Sequence, residues 1–218
     1  MTTSGSTTYT LTVANLIQNA LEDNGIIDAG ETPTTNEYTA CMNRLNGLIK
    51  TSQMQGLLWK RETISVTTTA SVASVSLATY VRGVNGARYV ESSTNEMPMV
   101  RWERDEYYSL PNKASSGNPT IYFVDRQDTG LVLYFWEVPS SAATIKLDID
   151  RKLDTVTATT ETVDIPEELN EMMWTQLAVR CAGIFGRQPS PELVDRAKTV
   201  TQLAMDNYRP ASYMLGGI

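Results

Sequence analysis

Hydrophobic residues recur at two different spacings along this chain, and the order of those spacings constrains the fold more than any single motif. Near the front, Val13, Leu16, Ile17, Ala20 and Leu21 fall at i, i+3, i+4, i+7 and i+8, which is one face of a helix. Asp23, Asn24 and Gly25 end that helix with turn chemistry. Thr34 with Glu37 three residues later reads as a capping box that opens a second helix. Its stripe is Tyr38, Cys41, Met42, Leu45, Leu48 and Ile49, and Gly56 breaks it just past Gln55. The helical spacing returns only after Asp164. Pro166 at a first helical position, with Glu167 and Glu168 behind it, precedes a stripe of Leu169, Met172, Met173, Leu177 and Cys181. Ser190, Pro191 and Glu192 then cap a last helix that faces Leu193, Val194, Ala197, Val200, Ala204 and Met205 inward and stops at Arg209 and Pro210.

Between these helical ends the spacing is two. Ile64, Val66 and Thr68 share one side of a strand, and Ala73, Val75 and Leu77 share one side of another. Asn85–Gly86 between Val84 and Ala87 predicts a tight hairpin turn, because both residues tolerate positive φ. Trp102 to Leu110 reads as a short helix, and Pro111 to Pro119 as a loop. Ile121–Val124 and Leu131–Trp136, apolar on both faces, predict a buried hairpin. Thr144 to Asp150 alternates Ile145, Leu147 and Ile149 with Lys146, Asp148 and Asp150, so one face is wet. A helical pair cannot bury its stripe alone, and the front and back pairs are expected to dock on each other. The fold class is therefore α+β: a four-helix core from both chain ends, an inserted antiparallel β-rich region and an extended C-terminal tail. The expected divisions are an arm and helical hairpin at 1–60, the insertion at 61–160, the closing helical pair at 161–207 and the tail at 208–218.

With 218 residues the chain buries on the order of 70% of its unfolded surface, enough for a core without staples. Its 25 acidic and 18 basic residues leave a net charge of −7, which opposes tight binding to phosphate and suits a duct through which DNA slides without sticking. Cys41 and Cys181 lie inside helical patterns, where a small buried thiol is favoured over a disulfide. Met1 to Thr10 hold no Lys or Arg and lead into no apolar stretch, so no secretory signal is expected.

The chain has no histidine, which removes Ser/His/Asp and Cys/His schemes, and two isolated cysteines cannot make a structural zinc site. No cofactor is expected. Gly183 and Gly186 lack the Lys and Ser or Thr of a phosphate loop. Paired carboxylates could serve a cell-wall glycosidase, the alternative function, with Glu167 and Glu168, Asp148 and Asp150, or Glu103 with Asp105 or Glu106 as candidates. Each pair has a plainer reading as first-turn charge, wet strand face or solvated helix start. Trp59, Trp102, Trp136 and Trp174 sit beside apolar neighbours that favour packing. The bases Lys60, Arg61, Arg101, Arg104, Arg126, Arg151 and Lys152 border strands and loops without forming a dense run.

The tail is the candidate binding segment. Tyr208, Arg209, Tyr213, Met214, Leu215 and Ile218 come with no acid and a Gly216–Gly217 pair, and eleven residues at ~3.3 Å each reach about 35 Å. They extend to a neighbour or fold back on their own domain. Burying such side chains at roughly 1.5–3 kcal/mol each is offset by ordering backbone at ~1–2 kcal/mol per residue, so one tail binds weakly and many bind by avidity.

Several short runs, taken together, are similar to one family. They are Gly25 through Gly30, Glu31, Thr32 and Pro33; Leu45, Asn46 and Leu48; and Gly56, Leu57, Leu58 and Trp59. Further on come Arg101, Trp102, Glu103 and Tyr107, then Gly117, Asn118, Pro119 and Tyr122, then Trp136, Val138 and Pro139, and finally Asp164, Ile165, Pro166 and Glu167. Over about residues 10 to 187 the chain resembles tailed-phage head-to-tail adaptors, also called head completion or tail accessory factors. The resemblance implies a virion structural protein, assembled in the host cytoplasm, that docks as a homo-oligomeric ring, usually a dodecamer, under the portal protein at the capsid vertex. Helices would surround a central DNA channel, C-terminal segments would grip the portal, and the β insertion would face the channel or a tail or nozzle protein. Passing DNA would be touched weakly and without sequence preference, and no membrane is involved.

Overall fold

The computed structural model describes Gly5 and residues 8–58 and 60–208. In chain order it holds helices α1 (Val13–Asp23) and α2 (Thr35–Met54), then strands β1 (Lys60–Thr67), β2 (Ser74–Ser76), β3 (Val81–Ser92), β4 (Asn95–Pro98) and β5 (Val100–Arg101). The short helix α3 (Arg104–Tyr108) precedes strands β6 (Ser116–Gly117), β7 (Ile121–Gln127), β8 (Gly130–Trp136), β9 (Val138–Pro139) and β10 (Thr144–Arg151). Helices α4 (Asn170–Ala182) and α5 (Pro191–Tyr208) follow. The architecture is mixed α+β, and the described residues form two compact units. One is built from the chain up to Leu58 and from Leu153 onward, the other from the stretch between.

In the helical unit the stripes read from the sequence meet in one core. Leu16, Ile17 and Leu21 of α1, Leu45 and Ile49 of α2, Met173 and Leu177 of α4, and Leu193 and Ala204 of α5 belong to a single buried cluster. Local chemistry sets the helix ends. Thr34 and Glu37 cap α2 reciprocally: Glu37 N donates to Thr34 Oγ1 at 3.4 Å and Thr34 N to Glu37 Oε2 at 2.7 Å. Thr12 and Asn15 form the same box on α1. Both helices then end in Schellman turns. Gly25 at φ 60° and Gly56 at φ 73° take the left-handed position, while Ile26 N reaches back to Leu21 O and Leu57 N to Ser52 O. Pro166 does not open a helix directly. Its ψ of 139° is extended, so Glu167–Leu169 make a 3-10 turn and α4 begins at Asn170.

Residues 153–165, without a regular element, are a strap on this unit. Leu153 and Val156 enter the helical core. Asn46 of α2 clamps Val156 from both sides, its Nδ2 donating to Val156 O and its Oδ1 accepting from Val156 N, each at 2.9 Å. Lys50 Nζ donates to Leu153 O. Two orphan donors of the α1 N-terminus end on the strap, Val13 N on Glu161 O at 2.8 Å and Ala14 N on Thr159 O at 2.9 Å. The Glu161 carboxylate in turn accepts from Thr157 N at 2.8 Å and Ala158 N at 3.3 Å. Those bonds hold Glu161 below the usual carboxylate range.

The β-rich unit has two four-stranded sheets, ordered β1-β10-β3-β4 and β2-β8-β7-β5, and a two-stranded β6-β9 pair. The long pairings are antiparallel, while β5 lies parallel to β7 and β6 to β9. Ile145, Leu147 and Ile149 of β10 share one core with Leu131, Leu133 and Phe135 of β8 and Tyr122 of β7. The unit opens and closes on neighbouring strands, since Lys60 of β1 pairs with Arg151 of β10.

Asn85–Gly86 is not a hairpin turn. β3 runs straight through it, pairing Gly86 with Asp148 and Val84 with Ile149, so Asn85 is the extra residue of a β-bulge. Its amide donates to Asp150 Oδ1 at 2.9 Å. The turn lies instead between Ser92 and Asn95, where β3 pairs with β4. The buried hairpin forms from β7 and β8, with strands lengthened until Gln127 pairs with Gly130. The short helix between Trp102 and Leu110 contracts to α3, because Glu103 and Glu106 close a capping box at its start and Ser109 ends it. Tyr107 of α3 lies on the outer face of this sheet with ring centroids 5.5 Å from Phe123 and 5.8 Å from Tyr134, and is buried there.

Candidate partner-binding surface

The candidate segment begins where α5 ends. Ser190 starts that helix by accepting from Leu193 N at 3.1 Å, and the apolar side of α5 seats it on α4. Gln176 of α4 fixes the register between the two, its Nε2 donating to Ala197 O at 3.2 Å and to Thr201 Oγ1 at 2.7 Å. Arg196 adds an ion pair to Glu171 at 2.8 Å, a second to Asp23 at 3.6 Å, and lies 6.0 Å from the Trp174 ring centre. The first three turns of α5 are therefore bonded to α4, and Ala204 near its end is buried in the same core. Of the predicted binding residues, Tyr208 is the last residue of α5, while Arg209, Tyr213, Met214, Leu215 and Ile218 lie outside the described residues.

Beside that base lies an open groove of about 640 Å³. Leu169, Val200, Leu203 and Ala204 supply its apolar lining, Glu168 and Glu171 its acidic side, and Asn207 stands at its end. Leu203 is 56% exposed, an apolar side chain on a face of α5 that is otherwise polar. Sequence reasoning missed this groove. Its one signal was Leu203, which falls outside the buried stripe and beside Ala204.

The basic positions are largely held within the β-rich unit. Arg61 pairs with Asp150 at 3.4 Å, Arg151 with Glu62 at 3.4 Å, and Arg104 with Asp125 at 2.7 Å. Lys152 Nζ donates to Thr79 O at 2.7 Å. Arg88, Lys146, Asp148 and Glu96 extend this network across the outer face of the sheet. Trp102 and Trp136 stack with centroids 6.5 Å apart, and Trp136 Nε1 donates to Asn112 O at 3.0 Å. Trp59 lies outside the described residues.

The candidate acid pairs are dispersed among structural duties. Asp148 accepts from Thr63 Oγ1 at 2.7 Å and Arg88 at 3.0 Å, and Asp150 from Asn85. Glu167 accepts from Tyr9 N, and Glu168 lines the groove. Glu103 and Glu106 serve the α3 cap. The carboxylates moved from their ordinary acidity go down: Glu22 through Gly30 N and Gln18, Glu96 through Lys146, and Glu161 through Thr157. No helix of the described residues is long and apolar enough to cross a membrane.

The sequence matches no curated protein. A family model described as SU10 adaptor protein, however, matches residues 11–209, from the cap of α1 through the β-rich unit to the end of α5. With its helical ends and its strand-built middle, the chain belongs to the SU10 adaptor protein family, a family of phage head-tail adaptors.

Proposed function

We propose that this chain docks under the phage portal as a ring of twelve copies, extends the DNA channel and gives the tail its attachment platform. The observation that carries the reading is the match of residues 11–209 to the adaptor family. In this reading the helical unit is the four-helix body, the β-rich unit is the insertion that meets the tail or nozzle protein, and 208–218 grips the portal. Tyr208, Arg209, Tyr213, Met214, Leu215 and Ile218 are the gripping residues. Their anchorage on a firmly seated α5, next to an apolar groove with an acidic side, supports that assignment. A net charge of −7 supports weak contact with passing DNA.

The test is reconstitution of the purified chain with portal, read by electron microscopy. The full chain should form a ring on the portal, and a chain ending at Asn207 should keep its melting temperature but lose docking. Undiminished docking by the truncated chain would overturn the tail assignment. Failure of the full chain to associate with portal would overturn the portal-docking reading itself.

A further inference from the structure

Cys41 in α2 and Cys181 in the last turn of α4 are both fully buried, and their sulfurs are 3.2 Å apart with the Cys181 thiol donating to Cys41. They stand 140 residues apart in the chain, one on each side of the β-rich unit. Closing to a disulfide at about 2.05 Å asks the sulfurs to approach by about 1.2 Å, a side-chain adjustment between helices already packed together.

We propose that Cys41 and Cys181 are an intramolecular redox crosslink site, which a small-molecule disulfide converts from two thiols to one disulfide joining α2 to α4. The inference goes beyond the adaptor reading and does not depend on it. The exchange is balanced with oxidised glutathione as the oxidant. The Cys41 thiolate attacks one glutathione sulfur and breaks its S–S bond, and the departing glutathione thiolate takes up the proton that Cys41 gave up. The Cys181 thiolate then attacks the Cys41 sulfur of the mixed disulfide and releases a second glutathione thiolate, which takes up the Cys181 proton. Two protein thiols are oxidised and one glutathione disulfide is reduced to two thiols. The balance is the same whichever thiol attacks first. The bond donated by Cys181 holds the Cys41 thiol below its usual range, while that same pairing and burial push Cys181 up. Because both sulfurs are buried, the first step proceeds through local opening of the helical unit and is slow compared with an exposed thiol.

The test uses the purified full chain, held with reduced or oxidised glutathione at mildly alkaline pH, then denatured in an alkylating agent and weighed intact. The reduced sample should carry two alkyl groups. The oxidised sample should carry none, weigh two hydrogens less than the free dithiol, yield a linked Cys41–Cys181 peptide, and melt several degrees higher until a reductant is added. Cys41→Ala and Cys181→Ala should each abolish the redox-dependent shift in melting. Two alkyl groups after oxidation, a stable single-glutathione adduct, or disulfide-linked dimers would each overturn the proposal. So would a shift that survives in either variant. If a variant fails to fold, the mass of the native chain decides alone.

Discussion

Asn46 spends both ends of its amide on one residue, and that makes it the firmest polar link between α2 and the strap. Replacing it by Ala leaves the half-buried N–H and C=O of Val156 without their partners. Asn46→Ala is expected to cost about 1–3 kcal/mol, the penalty for stranding such groups, as read from the midpoint of a urea melt. Glu161 acts at the same scale through charge. Its folded value is depressed, so the stability it supplies is fully present above the ordinary carboxylate value, about 4.3, and is lost as pH falls through the lower folded value. The melting-temperature gap between the native chain and Glu161→Gln should therefore hold steady at neutral pH and close on acidification. A gap that widens in acid would show that the carboxylate is not held this way.

Among the elements, those whose signals are local were legible in the residues themselves. Thr34 and Glu37 cap α2 because a capping box needs only its own four residues, and β10 alternates as read because Ile145, Leu147 and Ile149 carry the period alone. Asn85–Gly86 was misread because its preference for a turn is also a preference for a bulge. Which one forms depends on β10 lying alongside, 65 residues away. The capping partner Asn15 was overlooked because a box is usually closed by Glu or Gln, although a shorter amide reaches the same N–H. The strap was invisible for a related reason: its order comes from hydrogen bonds to α1 and α2, and no period or motif reports those. The bulge itself makes a prediction. Deleting Asn85 leaves Val84 and Gly86 as consecutive residues opposite Ile149 and Asp148, so the bulge closes into a regular ladder and Ala87 and Tyr89 keep their core face, whereas deleting Ala87 shifts Arg88 through Ser92 by one position and turns Tyr89 outward. The Asn85 deletion, like Asn85→Ala, which loses one bond to Asp150, should leave the β-rich unit resistant to protease, whereas the Ala87 deletion should abolish that resistance.

For the molecule as a whole, the division between helical ends and a strand-built middle followed from the two spacings, and family membership followed from short runs read together. The groove beside α5 did not, because it arises where residues 168–171 and 200–207 meet and only Leu203 hints at it. One more property of the whole rests on Lys60 and Arg151 being partners across β1 and β10. Paired strands lie about 4.8 Å apart, so the chain enters and leaves the β-rich unit through a single narrow doorway. A module hung on such a doorway can be enlarged, trimmed or exchanged in descent without reopening the packing at the other end.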